Sequence, residues 1–144
     1  MDFAQSRRAG CPDLFAAVAR ARPRLHCFGH IHEGWGAKLV AWRSQVSDEP
    51  SHFTDIDNNK SKVIEKLSNI TETKYDTADT RSEKLKTARQ FTERGFCSTS
   101  HCANDDVPLE WKAHTLFVNA AAQGLEELLV QPPWLVQLDL LLAA

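Results

Sequence analysis

Two histidines one residue apart, His30 and His32, sit in the stretch Leu25-His26-Cys27-Phe28-Gly29-His30-Ile31-His32-Glu33-Gly34. Imidazole is the commonest protein ligand for zinc, iron and related ions, so a paired-histidine loop points to metal chemistry. On a continuous strand residues i and i+2 share a face and stand roughly parallel. A turn lets the two rings fan out toward neighbouring ions, and Gly29, Gly34 and Gly36 supply the backbone freedom for it. Glu33 follows the pair directly and offers a carboxylate that could orient a ring N–H, or simply a solvated turn residue. Without further support the pair is also readable as ordinary surface histidines on a turn.

The elements that must position this loop are legible on either side. Pro12 to Arg22 reads as a helix, with Pro12 at the first helical position and Asp13 in the first turn. Leu14, Phe15, Val18 and Ala21 form its expected buried stripe. Pro23 ends it, and Arg24 to Phe28 follows as a strand, with Cys27 expected in a buried position. Ala37 to Trp42 alternates as a second strand, Leu39 and Ala41 on one side and Lys38, Val40 and Trp42 on the other. Residues 43–112 change character. Asp55-Ile56-Asp57-Asn58-Asn59-Lys60-Ser61-Lys62 has the mixed-charge composition of a solvated insert. Within it the pattern predicts a short helix over 61–67 and a better one over 82–94 capped by Ser82, with Leu85, Ala88 and Phe91 as a narrow apolar face. Residues 115–120 and 134–140 then read as strands rich in Val, Leu, Phe and Trp.

The histidine segment resembles the last metal-binding motif, Gly-His-x-His, of the calcineurin-like metallophosphoesterases. The resemblance extends to Gly10-Cys11-Pro12-Asp13-Leu14 opening a helix, to Thr115-Leu116-Phe117-Val118-Asn119-Ala120, and to Pro133-Trp134-Leu135-Val136 as a closing strand. It covers the two ends of the chain and is closest to the fungal type with a long polar insert. It implies an α/β fold, the C-terminal portion of a four-layer α/β/β/α sandwich, over residues 1–144 with the insert at about 43–112. It further implies that His30 binds one of two divalent ions and His32 the other, Mn, Fe, Zn or similar. In the family such ions, roughly 3.5–4 Å apart, clamp a phosphoester and activate a water for attack on phosphorus.

The family's remaining motifs are missing. No Asp-x-His, Gly-Asp or Gly-Asn-His pattern occurs in the 144 residues, so the expected reading is a C-terminal piece that is inactive alone. Neither ion would then have more than one identified protein ligand. Two other functions stay open: a non-catalytic truncated paralogue that binds a protein partner, and a small zinc-binding module using the histidine pair with Cys97, His101 and Cys102. The spacing of that cysteine segment matches no strong finger pattern even if His114 is added. Packing by Phe96 and the cysteines is its simpler role. Trp35 and Trp42 suit either a pocket wall or the core. Asn119 is expected to satisfy backbone at a strand end, and Arg7 and Arg8 either meet a phosphate or are merely exposed.

Composition narrows the partners. A net charge of −2 offers no basic footprint for nucleic acid. The apolar run from Pro133 is interrupted by Gln137 and Asp139 and is shorter than the ~20 residues of a membrane helix. No secretory signal is recognisable at Met1-Asp2-Phe3-Ala4-Gln5, and four cysteines do not make a disulfide framework at this length. A cytoplasmic setting is expected, and Asn69-Ile70-Thr71 is then an accidental glycosylation pattern. Missing central strands would leave an exposed sheet edge that invites self-association.

Overall fold

The computed structural model describes residues 10–123 and 131–140, together with the backbone of residues 3, 4, 7 and 8. It is mixed α/β. Strands β1 (Phe3–Ala4) and β2 (Arg7–Arg8) form a short antiparallel pair; the side chains of Arg7 and Arg8 lie outside the described part. Helix α1 (Pro12–Ala21) leads into β3 (Leu25–Phe28), and β4 (Gly36–Trp42) follows the histidine loop. Then come β5 (Ile56–Lys66), helix α2 (Ala78–Arg94), β6 (Cys97–Ser100), β7 (His114–Asn119) and β8 (Trp134–Gln137). The main sheet has four strands in the order β3-β7-β4-β5, and β6 pairs with β8 in a second, two-stranded sheet.

Alternation along β4 and β7 creates two cores. Val40, Trp42 and Ile56 pack with Val18 and Ala19 of α1, joined by Phe15 and Phe117. On the opposite face Ala37, Leu39, Leu116 and Val118 pack with Leu109 and, on β8, Trp134 and Val136. The order of layers is therefore helix, four-stranded sheet, two-stranded sheet. β7 is parallel to β3 and antiparallel to β4, with Leu39 opposite Leu116 and Gly36 opposite Asn119. It thus threads a late part of the chain between the two strands that flank the histidine loop.

The face assignment of β4 agrees with its sequence pattern, but five expectations need correction. The buried stripe of α1 is Phe15, Val18 and Ala19, whereas Leu14 is 51% exposed and Ala21 faces solvent. The helix sets Phe15, Val18 and Ala19 against Val40, Trp42 and Ile56, and just past its end the Arg22 guanidinium donates to the carbonyls of Arg43 at 2.7 Å and Lys112 at 3.3 Å. Cys27 is exposed rather than buried. β3 lies at the sheet edge, and the core on that face is built from β4, β7 and β8 without reaching it.

Residues 61–67 are not a helix; most of them belong to β5, which pairs antiparallel with β4. The pairing is interrupted by two register shifts, and Ser61 repairs the second. Its hydroxyl accepts from the Ala41 N–H at 3.0 Å and donates to the Asp57 carbonyl at 2.7 Å. Helix α2 begins a turn earlier than predicted, because Thr77 rather than Ser82 accepts from the Thr80 N–H and caps it. No residue of α2 is buried. The closing strand ends at Gln137 rather than at residue 140.

The polar stretch 43–112 is woven into the sheets through β5 and β6, and it buries Asp55, Ile56, Cys97, His101 and Leu109. Among the described residues no helix is long and apolar enough to cross a membrane.

Candidate functional site

The histidine loop hangs between β3 and β4. It begins where the Ala120 N–H donates to the Phe28 carbonyl at 2.8 Å, the last rung joining β3 to the β7 strand end. Gly29 lies close to the Ala121 backbone, and His30 adopts a left-handed conformation with φ of 75°. For a residue with a Cβ that conformation costs roughly 1–2 kcal/mol and persists only where the surroundings dictate it. A short 3₁₀ turn, His32–Gly34, then carries the chain to Trp35, with the Trp35 N–H donating to the His32 carbonyl at 3.2 Å.

Asn119, 2% exposed at the end of β7, is what holds this shape. Its Nδ2 donates to the carbonyl of Ile31, between the two histidines, at 2.8 Å. Its Oδ1 accepts the Ala121 N–H at 3.0 Å. One carboxamide thus ties the middle of the loop to the turn after β7. Gln131 Nε2 donates to the His32 carbonyl at 3.1 Å, so both carbonyls flanking His32 are fixed by side-chain amides. Trp35 anchors the exit. It is 1% exposed, its Nε1 donates to the Pro132 carbonyl at 3.1 Å, and its ring lies 5.2 Å from that of Trp134. Trp35 and Trp42 are therefore core residues; Trp42 Nε1 donates to Thr115 Oγ1 at 2.8 Å. Gln131 carried no recognisable signal in the sequence, because a lone glutamine after a leucine-rich stretch marks nothing.

The side chains of the loop differ in setting. His30 and Glu33 are exposed and His32 is half-buried. His30 lines a cavity of about 530 Å³ on the helix side of the sheet, and His32 is not among its walls. Among the described residues no third His, Cys, Asp or Glu joins the pair in a group that could hold a metal ion. Catalytic zinc sites use three protein ligands and structural ones four. The residues present therefore do not fit a complete metal site.

The second candidate cluster is engaged in protein contacts. His101 is 3% exposed, its Nε2 shares a hydrogen bond with Thr99 Oγ1 at 2.8 Å, and its Nδ1 meets the Val107 carbonyl at 2.7 Å. Neither ring nitrogen is left for a metal. Burial, with a smaller push from Glu65, raises the Cys97 thiol to about 12, so it is protonated at neutral pH and lacks the thiolate that binds metals. His114 accepts the Glu110 N–H at 3.2 Å. This segment seats the stretch before β7 rather than bringing ligands together.

Comparison with known proteins follows the same line. A stretch of 31 residues, 21% of this chain, is 58% identical to Metallophosphoesterase domain-containing protein 1 of Homo sapiens, and equally to that of Mus musculus. The match spans about a tenth of the length of those curated relatives, 10% in each case. No family model matches the chain, and no solved structure matches it.

Proposed function

We propose that this chain carries the histidine-pair loop of a calcineurin-like, metal-dependent phosphoesterase. His30 and His32 are ligands to two divalent ions, and the other ligands come from outside these residues. On this reading the helix, sheet and second sheet form part of a four-layer sandwich, Glu33 orients a ring, and the isolated chain neither holds the ion pair nor hydrolyses phosphoesters. The observation that supports it best is the loop itself. A non-glycine residue is held in the left-handed region, at the centre of a Gly-His-x-His turn, by a buried asparagine from the neighbouring strand. Strain of this kind gathers where a side chain must be presented in one direction. The short similarity to a metallophosphoesterase domain-containing protein adds to it, and four free thiols suit a reducing, cytoplasmic setting.

The test is a graft. Residues 12–42 of this chain, which hold the histidine loop, replace their counterpart in the human relative, and bound divalent metal is counted against the unmodified human protein. Retained metal that falls on His30→Ala and on His32→Ala is the expected result. A folded graft without metal would overturn the ligand assignment. Hydrolysis of p-nitrophenyl phosphate by the purified 144-residue chain, lost on His30→Ala, would overturn the claim that the chain alone is inactive.

A second reading, a non-catalytic interaction module, is supported by β3. That strand pairs on one side only among the described residues and shows Leu25 39% exposed beside exposed Cys27. An open, partly apolar edge is a template for another strand, including one from a second copy.

A further inference from the structure

On the helix side of the main sheet, between α1 and residues 50–53, runs the cavity of about 530 Å³ that His30 lines. Its size falls within the roughly 300–1,000 Å³ of small-molecule sites. The floor is apolar: Val18, Val40 and Ile56 are all buried there. One wall is aromatic, with the His26 ring 5.2 Å from both Phe28 and Phe117. Leu14 and Phe53, 51% and 65% exposed, stand at the mouth. These are large apolar side chains left partly in water by the fold.

The charge of the lining is one-sided. Among the described residues no Asp or Glu contributes to it, and Lys38 is the one lysine or arginine. The Lys38 ammonium donates to the neutral carboxamide oxygen of Asn58 at 3.1 Å. No ion pair to Lys38 is found among the described residues. Burial pushes its pKa below the usual lysine value, the mark of a cation that has lost water without gaining a counter-charge. A trough whose described lining is apolar, with one ammonium and no carboxylate, is complementary to an amphipathic monoanion.

We propose that this cavity binds a small carboxylate with an acyl or aryl body. The body lies over Val40, Ile56 and Phe117, and the carboxylate pairs with Lys38. His30 lines the same cavity, but the assignment rests on Lys38 and the apolar floor, and its test leaves His30 and His32 unchanged.

The experiment is calorimetric titration of the whole chain with decanoate and, as the uncharged control, 1-decanol. Decanoate should bind saturably at one per chain. Lys38→Met keeps the apolar stem and removes the charge; it should weaken decanoate about tenfold, the loss of one charge-assisted contact, and leave 1-decanol within about twofold. Leu14→Glu, on an exposed helix position, adds a carboxylate at the mouth and should weaken decanoate more than 1-decanol without touching the core. Equal decanoate affinity in wild type and both variants would overturn the proposal, as would uptake without a one-to-one limit. Decanoate heat that appears only as a chain dimer dissociates would assign the trough to a second copy and overturn it as well.

Discussion

Asn119 does the most for the loop with the fewest atoms. Replacing it by Ala removes one of the donors to the Ile31 carbonyl, which keeps the Gly34 N–H, and the acceptor for the Ala121 N–H near a buried strand end. A cost of about 2 kcal/mol is expected, read as a lower urea midpoint with unchanged slope. The left-handed His30 should relax with it, seen as changed amide shifts for residues 29–33. Asp55 is a second residue with a clear consequence. It is fully buried, and burial alone would raise its pKa. Hydrogen bonds from Thr54, Ser47 and Ser51 outweigh that and hold it below the ordinary carboxylate value. A depressed folded pKa contributes stability that is complete above the unfolded value of about 3.9 and lost as pH falls through the folded one. Asp76, held low by Lys84, and Asp105, held low by Ser100, act in the same direction. Unfolding free energy should therefore be flat near neutrality and fall below about pH 4. Asp55→Asn should lower the plateau and flatten the acid limb, as thermal melts at stepped pH will show.

At the scale of elements, β4 and β5 are joined by a close approach that only glycine permits. Gly36 has a φ of 149°, and a Cβ there would collide with the carbonyl oxygen of Glu65. Gly36→Ala should cost on the order of 2–3 kcal/mol and loosen the exit of the histidine loop. Denaturation together with amide exchange at Ala37 and Glu65 will show whether it does. Helix α2 behaves oppositely. Its Thr77 cap holds only its own first turn, and with no buried residue its stability is nearly uncoupled from the core. Thr77→Ala should fray that turn by about 1 kcal/mol, visible in exchange at Thr80 and Arg81, while the global midpoint stays put.

For the molecule as a whole, the edge of β3, unpaired among the described residues, and the apolar mouth beside α1 are where association is expected. Leu25, 39% exposed, and the exposed Cys27 lie on that edge strand. Sedimentation velocity should show association that grows with concentration under reducing conditions. Leu25→Lys, which places a charge on the edge strand, should suppress it. Persistence of the association in Leu25→Lys would move the contact elsewhere.

Local chemistry was readable without coordinates wherever it depends on neighbours in the chain. Pro12 opened α1, Gly29 and Gly34 bounded the histidine turn, and the alternation of Lys38 to Trp42 assigned each side chain of β4 to its face. These follow from backbone sterics and a two-residue period, which any stretch carries within itself. Partners distant along the chain were not readable. Ser61 to Lys66 looks as helical as it does extended and becomes a strand because β4 offers it hydrogen bonds. Cys27 is apolar enough for a core and stays outside because, among the described residues, no second-sheet strand pairs with or packs onto β3. Asn119 could be placed at a strand end, but its hold on Ile31, 88 residues earlier, exists only once β7 enters between β3 and β4. Which groups meet across such distances is decided by packing and by the need to satisfy buried polar atoms, and those conditions arise only when the whole chain has folded.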